Sequence, residues 1–341
     1  MAYKNAYDYR LVDDEAGLED AVPELKRNIE GKGPIAVDCE GLSLSRKGAL
    51  TIITVATEDK AYIFDVLKLG KAVFSGGLGE ILEDKSCEKL MFDCREDSDA
   101  LWHQFRVKLT GVLDLQLLEI FHRRRSAAAR SQSWTKHNPR SQRTDEVESI
   151  YGFRRCLELY VQDTEMIKMK EKGAQAFKHG DKETWKKRPL TTELLQYCVV
   201  DTMGMFKLYD KLKDAEGRDK ARLQVASERY VDLYRGKTQR YFDQYETNAL
   251  LPLYIIPDDG ASGYVVANTP CTKCHRLFPR EEFSKTQLRK GEQKCRNCKE
   301  LKRRADAKQN REAQWGRSHT YDYDTYDTYD YFSGEDFDDY F

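Results

Sequence analysis

The run Pro34-Ile35-Ala36-Val37-Asp38-Cys39-Glu40-Gly41-Leu42 constrains the chain more than any other stretch. Its β-branched, apolar approach through Ile35 and Val37 predicts a strand entering an interior. Alternation then sends Asp38 and Glu40 to one face and Val37 and Cys39 to the other. Two adjacent carboxylates at the end of a buried strand repel each other and are poorly solvated. A hard divalent metal held by oxygen ligands would relieve both costs. The alternative is a strand end at which both acids simply reach solvent.

The surrounding pattern predicts an α/β chain. Residues 14–29 carry Leu18, Val22, Leu25 and Ile29 at the spacing of one helical face. Strands at 34–40, 50–57 and 61–66, separated by short polar turns, predict an antiparallel meander. A short helix near 77–84, a strand at 89–92, a helix at 96–106, a strand at 112–114 and a helix to about 124 follow. This order describes a mixed sheet flanked by helices. Residues 123–147 are polar and basic, with little periodicity, and read as an exposed loop or a lid between domain halves. Helices resume at 148–160 and 163–174. The clearest spans 191–214, with Thr191 or Thr192 as its cap after Pro189. Its Tyr197 and Asp201, four apart, share a face. A further amphipathic helix covers 217–247.

The last quarter differs in kind. Of nine cysteines, five are scattered and four form the pairs Cys271-x-x-Cys274 and Cys295-x-x-Cys298. Paired thiols in a polar segment predict a closed structural Zn²⁺ site, with Leu277, Phe278 and Phe283 as a small core. Arg276, Arg280, Lys285, Arg289, Lys290, Lys294, Arg296, Lys299, Lys302, Arg303 and Arg304 surround it, so the net charge of -1 conceals a basic region able to meet a nucleic acid or an acidic partner. Residues 317–341 repeat Tyr-Asp units and read as a disordered, solubilising acidic tail, the alternatives being competition with nucleic acid for the basic module or recruitment of a protein partner. No apolar run reaches membrane length, and the polar first ten residues do not read as a signal peptide, so an intracellular protein of the nucleus or cytoplasm is expected.

Three motifs in order, VDCEGLSLSRKGALTIITVAT at 37–57, FDCREDSDAL at 92–101 and WKKRPLTTELLQYCVVD at 185–201, resemble the tyrosine branch of the DEDD superfamily of 3'–5' exonucleases. That branch holds RNase D, the Werner-type exonuclease and the proofreading domains of family A DNA polymerases. The resemblance is strongest to eukaryotic 3'–5' exonuclease domain-containing proteins and covers about 30–215. It implies an RNase H-like fold whose acids gather at one edge of the sheet. Asp38 and Glu40 match the first motif, Asp97 the second, and Tyr197 with Asp201 the third. Asp93 and Asp99 are neighbouring acids, and the spacing to Leu101 favours Asp97. The resemblance further implies two Mg²⁺ or Mn²⁺ ions held by Asp38, Glu40, Asp97 and Asp201, hydrolysing phosphodiesters at RNA or DNA 3' ends, with Tyr197 orienting the attacking water. Leu42 is either a wedge against the terminal base or a core residue, and Trp185 is expected to pack the start of its helix. The expected organisation is a helical extension (1–29), an exonuclease domain (30–215), a helical extension (216–249), a linker (250–268), a zinc module (269–316) and the tail. A different class of function also fits the fold: an inactive nucleic-acid-binding adaptor or scaffold in an RNA-processing or silencing complex, whose relatives typically have lost one or more of the acids.

Overall fold

Ile35, Ala36 and Val37 are all but solvent-free, which places strand β2 (Ile35–Leu42) in the middle of a sheet. The computed structural model describes residues 7–31, 33–134, 149–178, 183–215, 217–240, 250, 255–257, 268–278 and 280–318. They divide into two compact units, Met1–Arg240 and Tyr241–Phe341.

In the first unit, β2, β3 (Ala49–Ala56) and β4 (Lys60–Asp65) form the expected antiparallel meander. Strands β5 (Lys89–Met91) and β6 (Val112–Asp114) extend it in parallel beyond β2. The opposite edge is β1 (Asp8–Val12), parallel to β4, giving the order β1-β4-β3-β2-β5-β6. β1 falls within the stretch expected to be only a helical extension; five residues are too few to show a period, but each pairs along β4 and Val12 is fully buried.

Register fixes the two faces. Asp38 pairs with Thr54 and Thr54 with Ile63, so these share one face, while Val37, Val55 and Tyr62 share the other. Helix α1 (Glu15–Ile29), capped by Asp14, lies on the Val37 face, where its Glu24 and Asn28 hydrogen-bond the Tyr62 hydroxyl at 2.9 and 2.8 Å. Short helices α2 (Val66–Leu69) and α3 (Gly79–Glu83) connect β4 to β5. Helix α4 (Arg95–Ala100) follows β5 and continues as a wider turn over Leu101–Phe105. Helix α5 (Leu115–Trp134) follows β6, and α6 (Phe153–Cys156) and α7 (Thr164–Lys178) come next. Helix α8 (Thr192–Leu212) packs on β2, β3 and β4, and α9 (Lys220–Arg235) packs on α4 and β6. Thr191 caps α8 by accepting from Leu194 N–H.

Two further expectations change. The loop expected from 123 is helical to Trp134, because Ser-Ala-Ala-Ala-Arg is strongly helix-favouring despite lacking an apolar stripe. Residues 135–148 lie outside the described residues. The helix expected over 217–247 is α9, ending at Arg235, and 241–249 also lie outside them. Most of 250–268 and all of 319–341 do so too. Among the described residues no helix is long and apolar enough to cross a membrane.

In the second unit β7 (Thr269–Pro270) pairs with β8 (Leu277–Phe278), followed by α10 (Lys285–Lys290) and α11 (Arg296–Ser318). Ser284 and Gln287 close a capping box at the start of α10.

Candidate functional site

Among the described residues, β5 pairs with β2 at Ile35 and Ala36 alone, and beyond them β2 runs on without a strand partner on that side. The acids collect there. One oxygen each from Asp38, Glu40 and Asp201 lie within 4.8 Å of one another. Gly41 makes this end possible: a bulge separates it from Glu40, and a Cβ at Gly41 would sit 2.0 Å from the Ala49 carbonyl oxygen. Burial, together with the charges of Asp201 and Asp97, pushes the Asp38 carboxyl well above the usual carboxylate range. Burial and the Asp38 charge do the same to Glu40. Asp38 Oδ2 is buried without a hydrogen-bond partner among the described residues. Three hard oxygen donors with an orphaned, repelled oxygen among them suit Mg²⁺ or Mn²⁺.

The three acids of the second motif separate by partner. Asp97 accepts the Cys39 N–H at 3.0 Å, taking the backbone donor that β5 leaves unpaired. It is buried, and that burial raises it to about 7. Asp93 is paired with Arg95, and Asp99 with Arg46 and Arg240. Asp97 is therefore the member of the trio turned toward β2. Asp114 is a further buried acid whose signal in the sequence was only its place at a strand end. It accepts from Cys94 N–H at 2.9 Å and from the first turn of α5, fixing the turn into α4.

Tyr197 and Asp201 project from α8 toward the same place. Burial and the charges of Asp201, Glu40 and Asp38 push the Tyr197 hydroxyl well above its usual range, so it stays protonated. Lys170 on α7 was not anticipated. It is buried, its Nζ donates to Asp201 Oδ1 at 2.7 Å and to the Tyr197 hydroxyl at 3.2 Å, and it lies 4.4 Å from the Tyr197 ring centroid. Burial raises the Asp201 carboxyl, and Lys170 opposes that rise. In the lysine-rich run around it the only hint is spacing: Met166, Lys170 and Gly173 fall at i, i+4 and i+7, where an inward helical stripe belongs. Gly173 completes the arrangement, since a Cβ there would meet Tyr197 Cβ at 2.5 Å and its ring at 2.6 Å. Gly173→Ala is expected to displace Tyr197, with about 1–3 kcal/mol lost from overpacking; denaturant melts, with the Tyr197 environment followed by fluorescence or NMR, check both. Trp185 is buried with its ring 6.2 Å from that of Tyr197, and Leu42 is half-buried at the end of β2.

In the second unit Cys271, Cys274, Cys295 and Cys298 converge as their spacing predicts. The Cys271–Cys298 and Cys274–Cys295 sulfur separations are 3.8 and 3.9 Å. A tetrahedron with metal–sulfur bonds of about 2.3 Å has edges of about 3.8 Å, whereas a disulfide needs about 2.05 Å. Backbone N–H groups of Lys273 and Cys295 point at Cys271 Sγ, at 3.4 and 3.3 Å, as suits a thiolate. The donor set therefore fits Zn²⁺. His275, next to Cys274, is not part of the set.

A family model described as 3'-5' exonuclease matches residues 9–215, well over half of the chain, and the chain belongs to that family. Mouse "piRNA biogenesis protein EXD1" is 39% identical over 93 residues, covering 27% of this chain and 16% of that protein. Its Bombyx mori counterpart is 39% identical over 83 residues, covering 24% and 26%. The chain thus spans under a third of the EXD1 relatives it matches. RNase D of Trypanosoma brucei, solved as its GMP complex, is 26% identical, with 80% of this chain and 82% of that one covered at a TM-score of 0.57. The mixed α/β fold is that of RNase D.

Proposed function

We propose that the chain removes nucleotides from the 3' end of a nucleic-acid strand by metal-dependent hydrolysis, with Asp38, Glu40, Asp97 and Asp201 as ligands of two Mg²⁺ or Mn²⁺ ions. The convergence of Asp38, Glu40 and Asp201, together with the orphaned Asp38 Oδ2, carries this reading. When bound, such ions polarise the phosphodiester and stabilise charge on the attacking and leaving oxygens. The chain's own residues supply the frame. Cys39 N–H holds Asp97 beside the acidic pair, and Lys170 neutralises part of the charge on Asp201. Tyr197, kept protonated, orients water through its hydroxyl and does not act as a base. RNA is the favoured substrate, because the similar proteins are RNase D and piRNA biogenesis proteins. The four cysteines are assigned a structural Zn²⁺. The exposed Lys302, Arg303, Arg304 and Lys308 of α11 give that module a contact surface for a nucleic acid or for a protein partner.

The test is the full chain with Mg²⁺ or Mn²⁺ on 3'- and 5'-labelled RNA and DNA of matched sequence. Wild type is expected to shorten the strand from its 3' end. Glu40→Gln should fold and be inactive, whereas Cys39→Ala should retain activity, because Asp97 is held by a backbone N–H that alanine keeps. Equal digestion by wild type and Glu40→Gln would refute the assignment. Lys170 favours a second reading, since its ammonium already engages a carboxylate that a metal needs. On that reading the domain binds nucleic acid without cutting it, and wild type would bind the oligonucleotide, take up no Mn²⁺ in calorimetry and release no nucleotide.

A further inference from the structure

A second charged cluster lies behind Asp97. With 100° per residue, Arg95, Glu96 and Asp99 occupy one side of α4 and Asp97 the other. Asp99 is fully buried between two arginines. Arg46, from the β2–β3 connection, gives it a backbone N–H at 2.9 Å and a guanidinium contact at 2.9 Å, and donates onward to the Tyr234 and Thr238 carbonyls at 2.8 and 3.2 Å. Arg240 reaches the same Asp99 at 3.0 Å and forks onto Glu96 at 2.6 and 2.7 Å, its guanidinium 3.7 Å from the Tyr234 ring centroid. So many directed contacts on the back of a six-residue helix fix its rotation, which planar, bidentate arginine does well and lysine does poorly. Arg240 and its neighbours Tyr234 and Thr238 lie beyond residues 9–215, the part the family model matches.

We propose that Arg240, with Arg46, is a positioning residue: it holds α4 from behind so that Asp97 stays on the Cys39 N–H and faces Asp38 and Glu40. The consequence for activity rests on the function proposed above; the consequence for geometry does not. The Cys39 amide reports Asp97 directly, because Asp97 is its hydrogen-bond acceptor.

The experiment compares full-length wild type, Arg240→Met and Arg240→Lys by site-resolved amide exchange, Mn²⁺ titration and steady-state kinetics. In Arg240→Met the Cys39 amide should exchange at least tenfold faster. The Mn²⁺ midpoint should rise several-fold, and kcat should fall about 10- to 100-fold at nearly constant KM, with Arg240→Lys intermediate on each measure. A role confined to global stability would speed exchange across the whole sheet and leave the Mn²⁺ midpoint unmoved, and that result overturns the proposal. So does a folded Arg240→Met, or a folded Arg240→Lys should the first not fold, with unchanged Cys39 exchange. If wild type neither binds Mn²⁺ nor cleaves, the proposed function fails, while the amide measurement still decides the clamp.

Discussion

Asp38→Asn is expected to lower exonuclease turnover by at least about a thousandfold while raising the melting temperature of the metal-free protein. On the function proposed above, the activity loss follows from removing one of the proposed ligands from the most crowded point of the acidic cluster; three decades correspond to about 4 kcal/mol of transition-state stabilisation, within what a metal site supplies. The gain in stability follows from the same crowding. Without a cation, Asp38, Glu40 and Asp201 hold their oxygens within 4.8 Å and Asp38 Oδ2 has no donor. An asparagine keeps the shape, removes one repelling charge and brings an N–H₂ that can donate to a neighbouring carboxylate. The expected gain is about 1–3 kcal/mol, or about 2–8 °C for a unit of this size. An Asn variant that melts below wild type without metal near pH 7 would show that the acids are not in conflict.

The pH dependence gives the same argument a second readout. Burial raises Asp38, Glu40, Asp97 and Asp201 above their unfolded values, Asp97 to about 7. Between about pH 4 and 7 the folded chain therefore binds more protons at these groups than the unfolded chain does. Their contribution is fully present below about pH 4 and is lost as pH rises through 7. Ion-paired acids such as Asp163, lowered by Lys207, act in the opposite direction, so the informative quantity is the difference between variants. The wild-type minus Asp38→Asn difference should widen from pH 4 to 7 without metal, and Mn²⁺ should narrow it.

What the sequence discloses about this site is what local periodicity governs. Alternation along β2 separates Asp38 and Glu40 from Val37, and helical spacing puts Tyr197 and Asp201 together; both follow from backbone geometry alone. The choice of Asp97 over Asp93 and Asp99 comes in the sequence only from the resemblance and its spacing to Leu101; its physical reasons are Arg95 beside Asp93, the point where β5 stops pairing with β2, and arginines at 46 and 240, far away in the chain. Lys170 is hidden for a related reason. A lysine in a lysine-rich amphipathic run is normally solvated, and only the packing of α7 on α8 turns it inward onto Asp201. β1 was missed because its stability comes from pairing with β4, fifty residues on, and helical α5 because propensity acts without the apolar stripe that pattern reading requires.

Removing metal from the second unit should have the largest structural effect of all. Residues 268–299 bury Cys271, Phe278, Phe283, Cys295 and Cys298, with Cys274 and Leu288 against them. Two phenylalanines and part of a leucine are too little apolar surface to order such a segment, and four of the seven residues are the thiols themselves. A structural Zn²⁺ contributes about 10–16 kcal/mol at neutral pH, and that binding energy is folding energy. Strong chelation, or Cys298→Ser, is therefore expected to unfold β7, β8 and α10 and to remove the protection of their amides. Zn²⁺ should restore both in the chelated wild type and fail to do so in Cys298→Ser. Protein purified without chelator should carry one zinc per chain by elemental analysis, held in addition to any Mg²⁺ or Mn²⁺ at the acidic site. Thiolate donors select Zn²⁺ and carboxylates the harder ions, so washing with Mg²⁺ should leave the zinc in place. Protection in 268–299 that survives complete removal of zinc would mean the cysteines are packed thiols and the module holds itself together without a metal.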